Sequence, residues 1–220
     1  MTSFNKRSRR RILGLALAAI LVGAPSLAWA QNVDLDVNGT QTSHPDLADA
    51  INEANTSNDL TAEISSNDIE LIINNNQSVG ASQILTGGRI YGVSHGLNDV
   101  TINGGGNIIT YTGMGDTSLL RIHDAAGIVD LSAIAFTGGN NTTHHGGGLF
   151  VGVDHNQVSA NNVNFTNLNL SGALFYNNKV NRTQGSSAGG GLAVNNLDMA
   201  AGTSNGTGIF TNLDLRNNQA

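Results

Sequence analysis

The chain of 220 residues contains no cysteine, two prolines and one tryptophan. No disulfide can stabilise it, so its stability has to come from backbone hydrogen bonds and packing. The tryptophan is Trp29, near the N-terminus, and the chain beyond it has five phenylalanines and three tyrosines. Because aromatic side chains supply much of the area buried in cores, this scarcity argues against a broad globular core and suits a narrow one.

Residues 1–30 are predicted to be a cleaved export signal. Five basic residues lie between Lys6 and Arg11, an apolar run follows from Ile12 to Val22, and Ala28-Trp29-Ala30 forms a small-x-small cleavage site. We therefore expect an exported protein, at the cell surface or outer membrane or in the medium. The arginine pair in this segment also leaves a twin-arginine export route open beside the general one.

A membrane-spanning anchor is the alternative interpretation of the same segment. A spanning helix needs about 20 apolar residues, and Pro25 and Ser26 interrupt this run earlier. The chain that remains after cleavage is therefore not expected to span a membrane.

Removal of the signal leaves a strongly acidic chain. Five of the ten basic residues lie within the signal, and all 16 acidic residues lie beyond it. Excess negative charge repels phosphates, so nucleic acid is not an expected partner.

Residues 31–63 are predicted to hold an exposed leader, up to Ser43, with a short alternating segment at Val33–Val37, and one short helix at about residues 45–55. Pro45 suits the first position of a helix, with Ser43 or His44 preceding it. The apolar side chains of this segment recur at helical spacing and form one stripe, comprising Leu47, Ala50, Ile51 and Ala54.

From residue 64 onward the pattern predicts short strands. Runs of three to five β-branched or aliphatic residues are separated by glycine, asparagine and aspartate. In Leu119-Leu120-Arg121-Ile122 the side chains are expected to alternate between a buried face and a solvent face. Antiparallel sandwiches and barrels use strands of this kind too, so strand length alone leaves the arrangement open.

Repeated phrases favour a solenoid among these arrangements. Gly146–Val151 and Gly189–Val194 both begin with three glycines and a leucine, and Phe-Thr-Asn follows each, at Phe165 and Phe210. A shorter echo lies at Gly172–Asn178. Such recurrence predicts an all-β parallel β-helix over residues 64–220. The interval of 43 residues between the two glycine runs is expected to span about two coils of roughly twenty residues each.

The same hypothesis assigns roles inside the solenoid. Phe136, Phe165 and Phe210 are expected to stack in one internal column. Glycine and asparagine would turn the corners with positive φ, and asparagine side chains would form ladders from coil to coil. The short helix would cover the N-terminal end of the solenoid, whose open strand edges otherwise invite aggregation.

Two segments carry a resemblance to a known family: the predicted helix at Asp46–Asn55 and the phrase Thr101-Ile102-Asn103-Gly104-Gly105-Gly106-Asn107-Ile108-Ile109. Together with the export signal, they resemble bacterial right-handed β-helix proteins of the pectate-lyase-like kind, especially autotransporter passengers and related surface adhesins. The glycine runs followed by Phe-Thr-Asn at Phe165 and Phe210 also resemble the short repeats of polymorphic outer-membrane proteins, although the asparagine here follows the phenylalanine by two residues rather than three. The resemblance implies a right-handed parallel β-helix and, in an autotransporter, a C-terminal membrane barrel. No barrel pattern precedes Ala220, so we expect an N-terminal fragment whose β-helix is incomplete at its C-terminus.

A carbohydrate-active enzyme would need carboxylates and a base on one outer face. The available candidates are Asp116, Arg121, His123, Asp124, Asp130 and Asp154. Their spacing matches no recognisable catalytic pair, and aspartates at turns serve structure equally well. Lyases of the family bind calcium through clustered aspartates, so the resemblance implies calcium only if the chain is such an enzyme.

Two other motifs could suggest ligands. His144 and His145 could bind a metal, but neighbouring strand residues point to opposite faces and no third ligand is evident. The glycine runs Gly104–Gly106 and Gly146–Gly148 lack the lysine and the helix of a phosphate-binding loop. We therefore assign no catalytic, cofactor-binding or metal-binding residue from the sequence.

Two functional hypotheses follow. The first is an exported, non-enzymatic surface or secreted β-helix, similar to an adhesin or autotransporter passenger, that contacts host surfaces or glycans. The second is a carbohydrate-active β-helix enzyme, either a polysaccharide lyase or a glycoside hydrolase.

Overall fold

The structure is a computed structural model, which describes residues 31–57, 66–86, 89–90, 93–94, 96–113, 118–123, 125, 127–142, 146–152, 167–181, 189–195, 197–198, 203–204 and 207–220. The predicted export signal, residues 1–30, lies outside these ranges. Most of the described residues belong to β-strands, with one helix. Over the described residues, the expectation of a mostly β fold with one short helix is therefore confirmed.

The first elements are β1 (Val33–Val37), β2 (Thr40–His44), α1 (Leu47–Ser57), β3 (Ser66–Ile73), β4 (Gln77–Val79), β5 (Gln83–Thr86), β6 (Arg89–Ile90) and β7 (Val93–Ser94). The middle elements are β8 (Gly96–Asn103), β9 (Ile108–Tyr111), β10 (Leu120–His123), β11 (Ile128–Ser132), β12 (Ala135–Thr137), β13 (Asn140–Asn141) and β14 (Leu149–Gly152). The last are β15 (Asn167–Ser171), β16 (Leu174–Tyr176), β17 (Lys179–Val180), β18 (Leu192–Asn195), β19 (Leu197–Asp198), β20 (Thr203–Ser204), β21 (Thr207–Thr211) and β22 (Asp214–Arg216).

Three sheets contain most of the strands. The seven-stranded sheet has the order β2-β1-β3-β8-β11-β15-β21, the five-stranded sheet β22-β16-β12-β9-β4, and the four-stranded sheet β18-β14-β10-β5. From β3 onward, the pairs within these sheets are parallel. This pairing does not fit an antiparallel sandwich or barrel, which the sequence had left open.

The chain visits the three sheets in rotation. After β3, β4 and β5, one in each sheet, it returns with β8, β9 and β10, and each new strand pairs with the strand placed one round earlier. Each such round of three strands is called a layer below. Residues far apart in sequence are therefore brought into register by the stacking of layers.

The core runs through the layers as columns of apolar side chains. In the seven-stranded sheet, Leu71, Ile102, Leu131 and Leu170 occupy successive strands in register and are at most 1% exposed. Each column buries small aliphatic side chains against their counterparts one strand away. A narrow core of this kind needs few aromatics, in agreement with the composition.

The prediction of an exposed leader over residues 31–43 is wrong. This segment forms the hairpin of β1 and β2, and β1 also pairs with β3, so that Val33 and Leu35 are fully buried. Asn38 and Gly39 connect the strands with φ of 53° and 84°. An Asn-Gly pair favours this two-residue turn, and it was the signal that should have marked the hairpin.

Helix α1 begins and ends two residues later than predicted. Its N-cap is Asp46, whose carboxylate accepts a hydrogen bond from the Asp49 amide at 2.9 Å, rather than Ser43 or His44. The predicted apolar stripe is confirmed, because its four members are at most 2% exposed.

The helix lies against the first strands of two sheets. The Leu47 amide donates to the Gln77 side chain of β4 at 3.1 Å, and the Asn55 side chain donates to the Ile84 carbonyl of β5 at 2.7 Å. Polar groups at this end of the sheets therefore find partners in α1, as expected of a capping element.

The predicted column of Phe136, Phe165 and Phe210 is wrong in its membership. Phe136 stacks instead on Phe175, with ring centroids 5.1 Å apart and ring planes 8° from parallel. Phe210 lies in a different sheet, in register with Leu170, and is half exposed. Phe165 lies outside the described residues. The prediction aligned the segments containing these phenylalanines by their sequence similarity. The pairing of β12 with β16 instead places Phe136 opposite Phe175.

The predicted asparagine ladder is confirmed at one corner. The Asn178 side chain donates to the Phe136 carbonyl at 3.0 Å and to the Asn218 side chain at 3.1 Å. Asn218 in turn donates to the Phe175 carbonyl at 2.8 Å. Equivalent asparagines thus satisfy backbone carbonyls of the preceding layer.

The two glycine runs begin strands in adjacent layers. Leu149 pairs directly with Leu192, so the repeat of 43 residues is one layer and the estimate of two coils is wrong. A Cβ on Gly147 would lie 2.5 Å from the Gly190 carbonyl oxygen and 2.6 Å from that of Lys179. Glycine is required here because backbones of neighbouring layers approach closely.

Candidate functional site

The outer face of the seven-stranded sheet carries a row of side chains in register, called the outer row below. It crosses the sheet through Gln41, Asp36, Glu70, Thr101, Asp130, Asn169 and Ile209. Since neighbouring strands lie about 4.8 Å apart, the row extends over roughly 29 Å. All seven side chains are partly or fully exposed.

A second row runs parallel to the first, two residues along each strand. It consists of Ser43, Asp34, Ile72, Asn103, Ser132, Ser171 and Thr211. Six of these seven side chains carry a hydroxyl, an amide or a carboxylate. The face therefore presents a regular array of hydrogen-bonding groups, with few apolar interruptions.

The charge of the face is concentrated on its N-terminal strands. Asp34 and Asp36 lie on β1 and Glu70 on β3, whereas Asp130 stands alone on β11. Beyond β11 the rows contain amides, hydroxyls and Ile209 only. One end of the face is thus anionic and the other is neutral.

Hydrogen bonds stabilise the charged form of Asp34. The pKa of its carboxyl is lowered by hydrogen bonds from the side chains of Ser43 at 2.5 Å and Asn74 at 2.9 Å, with a further contribution from nearby His44. Burial acts in the opposite direction and outweighs the contribution of His44, but not the hydrogen bonds. The environment of Asp34 therefore favours its anionic form.

Asparagine and aspartate side chains line one corner of the seven-stranded sheet, near the start of β3, β8 and β11. The Asp68 amide donates to the Asn38 side chain at 2.9 Å, the Asp99 amide to the Asp68 carboxylate at 3.3 Å, and the Ile128 amide to the Asp99 carboxylate at 2.7 Å. Each side chain thus accepts a backbone amide from the next layer. These aspartates have a structural task at the corner, which agrees with the turn preference of aspartate.

Together, the corner and the outer row enclose a shallow concavity. Its lining includes Asp36, Glu70 and Thr101 from the outer row, with Asp68 and Asp99 from the corner. Within the described ranges, no group of three or more histidines, aspartates or glutamates is placed to hold a metal ion. The polar groups of the concavity can offer hydrogen bonds to a ligand rich in hydroxyls.

Of the residues considered as catalytic candidates, the structure describes three, and Asp130 lies in a different sheet from the other two. Arg121 and His123 lie on β10 in the four-stranded sheet, and Asp130 lies on β11 in the seven-stranded sheet. Asp116, Asp124, Asp154 and the pair His144-His145 lie outside the described residues.

Arg121 and His123 pack around an aromatic ring. The Arg121 guanidinium lies 5.3 Å from the centroid of Phe150, and the His123 ring meets Phe150 edge-on at 5.5 Å. All three side chains are at most 6% exposed. The prediction of one solvent-facing side for this strand is therefore wrong, because both of its faces are buried, and we interpret Arg121 as a packing residue.

The alternating segment that forms β1 was predicted within the leader, but its carboxylates were assigned to no site. Val33-Asp34-Leu35-Asp36-Val37 alternates between apolar and acidic residues, and this alternation is the signature of a strand with one face exposed. Its pairing with β3 places Asp36 directly opposite Glu70. The local pattern indicates the strand, but only the pairing shows which carboxylates become neighbours.

Comparisons with known proteins identify no relative. No family model, no curated protein and no solved structure matches the chain. Among the described residues, no helix has the length and apolar character that crossing a membrane would require.

Proposed function

We propose that the chain folds as a right-handed parallel β-helix with α1 as its N-terminal cap. The rotation of the chain through three parallel sheets supports this architecture, since each layer contacts the layers before and after it. Right-handed connections between parallel strands are the rule, at about 98% of cases. The resemblance to pectate-lyase-like β-helices points to the same fold.

On this scaffold we propose an exported, non-enzymatic adhesin-like function, in which the chain binds glycans of a host surface. The observation that carries the proposal is the pair of polar rows across seven strands. Carboxylates, amides and hydroxyls repeated at about 4.8 Å offer many weak hydrogen bonds to sugar hydroxyls. Several weak contacts made at once give an avidity that none provides alone. The anionic end disfavours nucleic acid as a partner.

A carbohydrate-active enzyme is the second candidate. Asp36 and Glu70 lie directly opposite each other on neighbouring strands and border the same concavity. Glycoside hydrolases use a pair of carboxylates, one as an acid and the other as a nucleophile or base. This pair is the specific observation that keeps the second candidate open.

A binding assay on immobilised glycans and on host cells tests the adhesin function. Thr101→Arg places a bulky cation in the middle of the outer row. The matched control is Thr110→Arg, since Thr110 is also a half-buried strand threonine but lies on β9 of the five-stranded sheet. We expect the first variant to lose at least about tenfold in apparent affinity, which is about 1.4 kcal/mol, and the control to bind as the unmodified chain does.

Equal binding by both variants, or no binding by the unmodified chain, would refute the proposed face. An assay for cleavage of polygalacturonate and related polymers, with calcium added, tests the second candidate. Robust cleavage that disappears in both Asp36→Asn and Glu70→Gln would replace the adhesin function by an enzymatic one.

A further inference from the structure

A surface groove, called the groove below, runs between the two polar rows of the seven-stranded sheet. Each strand contributes one side chain to the outer row, one to the second row and, between them, one residue whose side chain points inward. On β1, β3, β8, β11 and β15 these inward residues are Leu35, Leu71, Ile102, Leu131 and Leu170, all at most 1% exposed. Because two residues of a strand span about 6.6 Å, the rows lie about that far apart, and the groove is as long as the rows, roughly 29 Å.

The floor of the groove is formed by backbone. Since the inward residues direct their side chains into the core, only their peptide groups lie beneath the groove. The amides and carbonyls of these strands pair with the neighbouring strands, in register from Leu35 opposite Leu71 to Leu131 opposite Leu170. The hydrogen-bonding groups of the floor are therefore engaged within the sheet, and the floor suits an apolar surface.

The walls of the groove, in contrast, are polar on both sides. Two polar side chains face each other across the groove on four strands: Asp34 and Asp36 on β1, Thr101 and Asn103 on β8, Asp130 and Ser132 on β11, and Asn169 and Ser171 on β15. All eight side chains are at least partly exposed. A ligand in the groove can thus form hydrogen bonds along both of its edges, but not with the floor.

A sugar chain with only equatorial substituents has this distribution of polar and apolar groups. In a β-1,4-linked chain of glucose configuration, the hydroxyls and the linkages are all equatorial. The hydroxyls therefore line the two edges of an extended ribbon, and its two faces consist of C–H groups. Each sugar advances the ribbon by nearly the separation of two strands, about 4.8 Å. The groove accordingly accommodates about six sugars, roughly one for each spacing between its seven strands.

We propose, on the basis of the glycan-binding function proposed above, that the groove holds a neutral β-1,4-linked polysaccharide of glucose configuration, lying across the strands. One face of the ribbon removes its C–H groups from water against the floor. The two edges exchange hydrogen bonds with the two rows. The carboxylates of Asp34, Asp36 and Glu70 accept hydrogen bonds from hydroxyls but repel carboxylated or sulfated chains, which is why the ligand is neutral.

The floor determines the specificity of the groove. An axial hydroxyl would point at backbone groups that are already paired, and it would lose its hydrogen bonds to water without replacement. A β-1,4-linked mannose chain differs from the glucose chain only in its axial 2-hydroxyl, which would face the floor on every second sugar. An α-1,4-linked glucose chain keeps equatorial hydroxyls but coils, so its sugars cannot follow the row of strands.

Isothermal titration calorimetry of the full chain with defined hexasaccharides tests this specificity. We expect cellohexaose to bind at least about tenfold more tightly than mannohexaose or maltohexaose, because only cellohexaose combines an extended ribbon with C–H faces. Chitohexaose has the same equatorial skeleton, with an acetamido group on each sugar, and should also bind more tightly than both. The affinity for cello-oligosaccharides is expected to rise with chain length and to level off at about six sugars.

Two variants test whether the ligand lies between the rows. Thr101→Arg and Ser132→Arg place bulky side chains on opposite walls of the groove, on the neighbouring strands β8 and β11. Each variant is expected to bind cellohexaose at least about tenfold more weakly, because either side chain obstructs the groove. Thr110→Arg, on the five-stranded sheet, should bind as the unmodified chain does. Far-ultraviolet circular dichroism checks that the variants keep the fold, and the comparison of hexasaccharides needs no variant.

Three results would overturn the proposed ligand: mannohexaose or maltohexaose binding as tightly as cellohexaose, an affinity that stops rising at three sugars, or weaker binding by only one of the two wall variants. Binding of other immobilised glycans without binding of cellohexaose or chitohexaose would also overturn it, while leaving the adhesin-like function in place. That function fails separately, if the unmodified chain binds no glycan or if Thr101→Arg and Thr110→Arg bind immobilised glycans equally.

Discussion

Replacing Phe175 by alanine tests whether the core is defined by the layers of the structure or by the repeated sequence motifs. Phe175 is fully buried, and its ring stacks on Phe136 with centroids 5.1 Å apart. The glycines that immediately precede β14 and β18 approach it, since a Cβ on Gly148 or Gly191 would lie 3.1 Å or 3.0 Å from its side chain. Glycines have no side chain that could move into the space, so the cavity should persist.

The expected loss of stability follows from this packing. Phenylalanine-to-alanine changes in cores cost about 3–5 kcal/mol when the cavity remains, and we expect the upper half of that range for Phe175. Phe210 provides the matched control, because it is the same residue type but half exposed. Phe210→Ala leaves no closed cavity and should cost about 1 kcal/mol, since roughly half of the transfer free energy of a phenylalanine is involved.

Urea denaturation followed by far-ultraviolet circular dichroism measures both losses of stability. The double variant of Phe136 and Phe175 adds a measurement of their coupling, which we expect at about 0.5–1.5 kcal/mol. Equal losses for Phe175→Ala and Phe210→Ala would refute the described layers. A larger loss for Phe210→Ala than for Phe175→Ala would support the column that the sequence predicted.

Two further changes test the corners and the acidic face. Ala133 has a φ of 47°, in the left-handed region that costs a non-glycine residue about 1–2 kcal/mol, so Ala133→Gly should stabilise the chain by about 0.5–1 kcal/mol after the entropy of glycine is subtracted. Gly172→Ala, at the corner of the next layer with a φ of 64°, should destabilise the chain. If urea denaturation gave the same sign of stability change for both variants, this interpretation would be contradicted. Asp34 has a lowered pKa in the folded chain, so its contribution to stability is fully present above its ordinary pKa of 3.8 and is lost as the pH falls through the lower folded value. Asp34→Asn should therefore flatten the dependence of unfolding free energy on pH in this acidic range, and an unchanged slope would exclude Asp34 as its source.

The sequence predicted those features that depend on interactions between residues close together in the chain or on the preference of one residue type. The stripe of α1 depends on residues three and four apart, and the four residues of that stripe are buried as expected. Positive φ at Gly105, Gly172 and Asn212 agrees with the preference of glycine and asparagine for corners. The asparagine ladder could be predicted as well, because an amide side chain at a repeated corner can serve the backbone of the next layer.

Features that depend on the pairing of layers could not be predicted in this way. The separation between equivalent residues changes from layer to layer: the Ile128 amide bonds to Asp99, 29 residues earlier, whereas the Asn169 side chain bonds to Asp130, 39 residues earlier. Connections of different length between strands change the period without changing the register. An alignment by similar phrases therefore matched Phe136 with Phe210, which lies in another sheet.

The candidate face was missed for the same reason. Asp36 and Glu70 are 34 positions apart and belong to no shared motif, and they become neighbours only because β1 returns antiparallel onto β3. That return reverses the direction that all later layers share. The hairpin therefore does two things at once: it closes the N-terminal end of the seven-stranded sheet, and its strand β1 adds two carboxylates to the outer face. The anionic end of the proposed binding face thus follows from the way this end of the sheet is capped.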